Sequence, residues 1–149
     1  MDFKSFKDTI QAAKRIVIIS HVNPDGDTLG SMSALYQVIL NNFGHTKDSV
    51  DMVYNGIIPE IYKFIPFLDE AKKPEQVKDE LYDLAIAVDI AAKDRMGDSL
   101  PVYERTETKM NIDHHKTNNN YGTVNFVRGD ACSCGEVLFD IFKALDINI

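Results

Sequence analysis

A chain of 149 residues is long enough for one domain with a sizeable core, and its 44% hydrophobic and 26% charged residues are those of a globular protein. A net charge of −7 argues against tight coating of a long polyanion but leaves room for a small phosphorylated substrate held through cations. No apolar run can span a bilayer, Met1-Asp2-Phe3-Lys4 lacks the layout of a secretory signal, and Cys132 and Cys134 make no disulfide framework, so a cytoplasmic location is expected.

The first helix is expected over residues 3–13, where Phe3, Phe6 and Ile10 share a face. Residues 15–20 read as a buried strand, followed by the acidic loop His21-Val22-Asn23-Pro24-Asp25-Gly26-Asp27. A helix over 28–43 comes next, capped by Thr28 and stopped by Gly44. Residues 50–54 form a second strand, 59–67 a short helix, and 74–81 a polar surface helix or loop. Residues 84–88 are a buried strand ending at Asp89, and 109–112 a short strand ending at Asp113-His114-His115. Residues 116–120 are turn-like, 123–127 an edge strand, and 133–145 an amphipathic helix with Val137, Leu138, Ile141 and Leu145 on its apolar face. Strands alternating with helices imply an α/β domain with a mainly parallel sheet covered on both faces.

In such a sheet all strands end on one side, where ligands of α/β folds bind. Three strands here end in polar donors, at His21, Asp89 and Asp113, so residues far apart in sequence can meet at one edge. Each motif alone has a bland explanation. Pro24-Asp25-Gly26-Asp27 is good turn chemistry, Asp27 can help cap a helix, Asp89 can be a helix cap, and Asp113-His114-His115 can be a surface cluster. Together they point to metal binding. Carboxylates and imidazoles without thiolates suit Mn²⁺ or Mg²⁺, with Zn²⁺ also compatible. Asp89 is the natural bridge if two ions bind, and two ions suit in-line phosphoryl displacement. Cys132-Ser133-Cys134 fits zinc spacing poorly and reads as small residues at a helix start. His45 reads as a surface residue, and Lys72, Lys73 and Lys78 as a solvated face. Arg128 is either an exposed structural residue or a phosphate contact.

At these residues the chain resembles the DHH phosphoesterases, above all the nano-RNase and 3′-phosphoadenosine-5′-phosphate phosphatase branch related to RecJ exonucleases. His21 to Asp27 with Gly30-Ser31 is similar to the family's first motif, Val88-Asp89 to its second, and Asp113-His114-His115 to the motif that names it. Asn55 to Pro59 and the helix with Gly135-Glu136 also fit. The resemblance implies a Rossmann-like DHH domain with a two-ion Mn²⁺ centre, or Mg²⁺ in its place. It implies His21 and Asp25 at the first ion, Asp27 and His114 at the second, and Asp89 bridging. It further implies His115 at the phosphate or the attacking water, Asp113 orienting the His pair, and Ser31 near the phosphate or packing the loop.

The family pattern continues with another metal-binding Asp and a Gly-rich substrate domain that residues 1–149 do not show, so a DHH domain truncated before both is expected. The expected function is hydrolysis of phosphoester bonds in short RNA or small nucleotides, weak in this chain, with a homodimer as an open partner. Polyphosphate or pyrophosphate hydrolysis, and a non-catalytic fragment that binds only metal or partners, are the alternatives. A dinucleotide-binding domain is disfavoured because the first loop is acidic rather than glycine-rich.

Overall fold

The computed structural model describes residues 2–148. Its five strands are β1 (Ile16–Val22), β2 (Val50–Asn55), β3 (Leu84–Val88), β4 (Thr108–Asp113) and β5 (Val124–Val127). They pair in parallel throughout, in the order β2-β1-β3-β4-β5. Both faces are covered, which is why β1 opens on the unbroken apolar run Ile16 to Ile19 and β3 is apolar throughout rather than alternating.

One face carries Ile16, Ile18, Ile86 and Val88 against the longer helices α1 (Phe3–Ala12), α2 (Gly26–Asn42) and α5 (Cys134–Ala144). Phe6 of α1 is fully buried there and meets Phe126 edge-on, with ring centroids 5.5 Å apart. The other face carries Val17, Ile19, Ala85 and Ala87. It is covered by α3 (Pro74–Val77), the 3₁₀ segment Lys93–Ser99 and α4 (Leu100–Arg105), with Tyr103 fully buried among these residues. The alanines of β3 leave the room that Tyr103 fills.

The order places the site. The chain leaves β1 for β2 on one side and returns to β3 on the other, so β1 and β3 are neighbours whose connections diverge. A crevice opens at the carboxyl ends of such strands. His21 lies at the end of β1 rather than in the loop after it, Asp25 follows β1 and Asp89 follows β3, and the end of β4 at Asp113 lies one strand further along. Among the described residues, no helix is long and apolar enough to cross a membrane.

Several expectations need correction. Helix α2 begins at Gly26, and its cap is Asp25 rather than Thr28: the Asp25 carboxylate accepts the Thr28 N–H at 3.1 Å. The helix expected over 59–67 is only a 3₁₀ turn at Glu60–Tyr62. Pro66 can supply no N–H and would clash within a helix, and Phe67 adopts a left-handed φ of 63°. The 74–81 segment is helical only over Pro74–Val77, and Val77 is fully buried rather than at the surface. Residues 93–105, unassigned from sequence, form the 3₁₀ segment and α4; Gly97 and Pro101 interrupt the apolar spacing of Met96, Val102 and Tyr103. Gly97 has φ +53°, and a Cβ there would fall 2.5 Å from both Asn55 Nδ2 and Val22 Cγ1. This close approach seats the 3₁₀ segment against the ends of β1 and β2.

Candidate metal centre

A cavity of about 580 Å³ opens at the carboxyl edge of the sheet. His21, Asp25, Asp27, Asp89, His114 and His115 all line it, so the three sequence motifs do converge. Asp89 lies at its centre, 4% exposed, with a left-handed φ of 60°. Such strain is tolerated where the surroundings over-determine it, and here the Asp89 N–H is tied to Ile112 O at 2.9 Å.

Among the described residues, two groups of donors have the proximity of a metal site. His21, Asp25 and Asp89 form one, and Asp89, His114 and His115 the other; within each, one ligand atom per residue lies within 4.8 Å of the rest. Asp89 belongs to both.

The hydrogen bonding around the first group is oversubscribed. His21 Nδ1 donates to Val22 O at 2.8 Å, which leaves the lone pair of Nε2 facing inward. The buried Thr28 hydroxyl stands 2.7 Å from that Nε2, 2.7 Å from Asp89 Oδ2 and 3.2 Å from Asp25 Oδ1. A hydroxyl has one proton for these three acceptors.

The second group shows the same excess of lone pairs. Asp89 Oδ1 is buried with no hydrogen-bond partner. His114 Nδ1 faces Ala131 O at 3.3 Å, so its Nε2 lone pair points toward Asp89 Oδ1 at 3.5 Å and Asp27 Oδ2 at 3.6 Å. Acceptors aimed at acceptors in a buried setting are costly unless a cation lies between them. The donors are oxygens and imidazole nitrogens, a set that suits Mn²⁺, Mg²⁺ or Zn²⁺.

Electrostatics agree. Burial pushes the Asp89 carboxyl up to about 6, helped by the charges of Asp27 and Asp25 and opposed by the Thr28 hydroxyl. At Asp25 burial also acts upward, but the Thr28 N–H, the nearby His21 and the Thr28 hydroxyl outweigh it and hold the carboxyl below its usual range. At His115 burial acts downward and is outweighed by the hydrogen bond and charge of Asp113, so its pKa is raised.

Behind the ligands stands a supporting layer. Asp113 is fully buried and bonds His115 Nδ1 at 2.7 Å through one oxygen. Its other oxygen accepts from Asn118 Nδ2 at 2.7 Å, and Asn118 also donates to Ile90 O. Asp27 is held by the first turn of α5, whose Cys134 and Gly135 N–H groups donate to its two oxygens at 2.8 and 3.0 Å. The start of α5 thereby offsets the negative charge of Asp27.

Ser31 is buried behind Asp27, with Oγ 3.4 Å from Asp27 Oδ1, and does not line the cavity. Arg128 does not line it either; its guanidinium is tied to Glu136 and Asp140 of α5. His115, expected at the phosphate or the attacking water, lines the cavity within reach of Asp89 and His114, with Asp27 beside that group. Thr28, Asn118 and the cavity-lining Asp94 and Arg95 were not singled out from sequence as site residues. Thr28 carried only a capping signal, and Asn118 lay in a stretch that read as a polar turn.

Comparison with known proteins bears on the family and the fold. The model of the DHH family, N-terminal domain, matches residues 15–148. The chain is 31% identical over 140 residues to the probable bifunctional oligoribonuclease and PAP phosphatase NrnA of Streptococcus mutans, covering 93% of this chain and 41% of that protein. It is 33% identical over 138 residues to the bifunctional oligoribonuclease and PAP phosphatase NrnA of Mycoplasma pneumoniae, covering 89% and 40%. The chain thus spans about two-fifths of the length of these relatives. An exopolyphosphatase-related protein from Bacteroides fragilis shares the fold with a TM-score of 0.84, at 22% identity over 96% of this chain and 43% of that one.

Proposed function

The chain belongs to the DHH family, and on that premise we propose that it is the metal-binding domain of a Mn²⁺-dependent phosphoesterase acting on short oligoribonucleotides or small phosphorylated nucleotides. The observation that carries the proposal is the buried Asp89 carboxylate shared by two donor groups, with one oxygen unpartnered and the other contesting a single hydroxyl proton. The substrate class is supported by the names of the relatives at 31% and 33% identity. Mg²⁺ is the second candidate for the same oxygen and nitrogen donors. A cytoplasmic location and a homodimer belong to the same proposal.

A pair of divalent cations, when bound, supplies Lewis acidity that activates water and offsets phosphoryl charge. His21 and Asp25 hold one side of the centre, His114 and Asp27 the other, and Asp89 faces both. His115, half exposed and backed by Asp113, steadies a phosphate oxygen or the proton that leaves with the departing group. Asp113 and Asn118 keep its ring in one orientation. Ser31 and the first turn of α5 hold Asp27 in place.

The test is Mn²⁺ titration of the purified chain, followed by its hydrolysis of a short RNA. The expected result is two bound ions and slow hydrolysis that His114→Ala abolishes. A chain that binds no Mn²⁺, or whose hydrolysis survives His114→Ala, overturns the proposal.

A further inference from the structure

The chain contains four arginines, and three of them are committed to intramolecular bonds. Arg15 pairs with Glu80 at 2.6 Å, Arg105 donates to Val77 O and Glu80 O, and Arg128 is tied to Glu136 and Asp140. The side chain of Arg95 alone has no ion pair, hydrogen bond or aromatic partner among the described residues, and it lines the metal cavity. No other Lys or Arg among the described residues lines it, whereas Asp25, Asp27, Asp89 and Asp94 all do.

Its side chain is exposed, but it does not stand on a loose segment. The backbone beneath it is fixed by the Arg95 N–H bonded to Ala92 O at 3.0 Å and by Met96, fully buried in the next position. Gly97 then makes its close approach to Asn55 and Val22. A long cationic side chain therefore stands on a fixed backbone at the rim of the cavity that His115 also lines. The adjacent Asp94 does not take it up as an ion-pair partner, although both line the same cavity.

We infer that Arg95 is a substrate-anchoring residue that takes a phosphate oxygen pair of the incoming nucleotide in a bidentate grip, so that the acidic centre accepts an anion it would otherwise repel. Arg95 takes this role only if the phosphoesterase proposal holds. The chemistry follows from charge and shape. Four carboxylates draw cations but repel a phosphate, and even with ions bound the rim needs a fixed positive group to orient the substrate. A planar guanidinium matches two phosphate oxygens in a way a lysine does not. The class of ligand is a phosphate monoester or a phosphorylated end of a short oligonucleotide.

The experiment uses the chain loaded with Mn²⁺ and inorganic phosphate as the probe, followed by ³¹P relaxation, with Mn²⁺ affinity measured separately by calorimetry. Arg95→Ala is expected to weaken phosphate binding roughly tenfold or more. Mn²⁺ affinity should remain within about twofold of wild type, because Arg95 is remote from the donor role. Arg95→Lys should fall between the two, and Lys78→Ala, outside the cavity, should match wild type. Circular dichroism of Arg95→Ala checks folding, which an exposed position should not disturb. Equal phosphate affinity in wild type and Arg95→Ala overturns the inference and leaves the metal centre standing. So does a Mn²⁺-loaded wild type that binds no phosphate. A wild type that binds no Mn²⁺ overturns the phosphoesterase proposal itself, and the inference with it.

Discussion

Asp89→Asn separates the cost of the metal centre from its use. The substitution keeps the shape of the side chain and an oxygen for the Thr28 hydroxyl, now 2.7 Å from Asp89 Oδ2. It replaces the unpartnered oxygen with an N–H₂ that can face the lone pair of His114 Nε2, 3.5 Å from that oxygen. Asparagine also tolerates the left-handed φ of 60° at this position, so no backbone penalty is expected. In the metal-free protein, Asp89 has its pKa raised from 3.8 to about 6, chiefly by burial. A raised carboxyl pKa means that its charge opposes folding: the protonated form is favoured below 3.8, and the stability it gives is lost as pH rises through about 6. At neutral pH that loss is about 3 kcal/mol, from two pH units at roughly 1.4 kcal/mol each.

Asp89→Asn in a chelator at pH 7.5 should therefore be more stable than wild type by up to about 3 kcal/mol, a rise in Tm of roughly 5–10 °C for a chain of this size. The advantage should shrink as pH falls through about 6 and vanish below 3.8, where Asp89 is protonated in both states. In saturating Mn²⁺ the order should reverse, because an ion present at a thousand times its Kd stabilises wild type by about 4.1 kcal/mol, more than the roughly 3 kcal/mol deficit, and the variant has lost the shared anionic donor. Thermal unfolding followed by intrinsic fluorescence, with chelator and with Mn²⁺ at several pH values, reads both effects. A variant less stable than wild type in chelator would refute the reasoning about charge burial. A variant that gains as much from Mn²⁺ as wild type would refute the shared role of Asp89.

Gly97→Ala should cost about 2–4 kcal/mol in urea unfolding, since the new Cβ meets Asn55 and Val22 at 2.5 Å in a left-handed backbone; a loss under about 1 kcal/mol would mean the segment simply shifts. Tyr103→Phe should be neutral or stabilising by about 1 kcal/mol, because the buried hydroxyl has no partner to lose, and a clear destabilisation would reveal a hidden bond. Asn118→Ala should lower stability by about 2–3 kcal/mol and loosen His115, seen as a change in the pH dependence of its imidazole NMR shift; an unchanged profile would make Asn118 a packing residue only.

Much of the centre was legible because apolar runs that end in His or Asp mark strand ends, and a parallel sheet brings those ends to one edge. His21, Asp89 and Asp113 needed only that geometry, and the order β2-β1-β3-β4-β5 supplies it. The supporting residues were not legible, because their chemistry has two meanings in sequence. A threonine before an apolar helix and an aspartate three residues earlier are both good caps. Had Thr28 been the cap, its oxygen would have turned to the N–H groups of its own helix. Because Asp25 caps instead, helix α2 starts at Gly26, and Thr28, already within its first turn, has its hydroxyl free to point at His21 and Asp89. The same choice commits one oxygen of Asp25 to the Thr28 N–H and sets the carboxylate beside His21. A three-residue difference in where the helix is capped thus decides whether a metal-ligand group has a proton donor at its centre, and no pattern of apolar spacing records it.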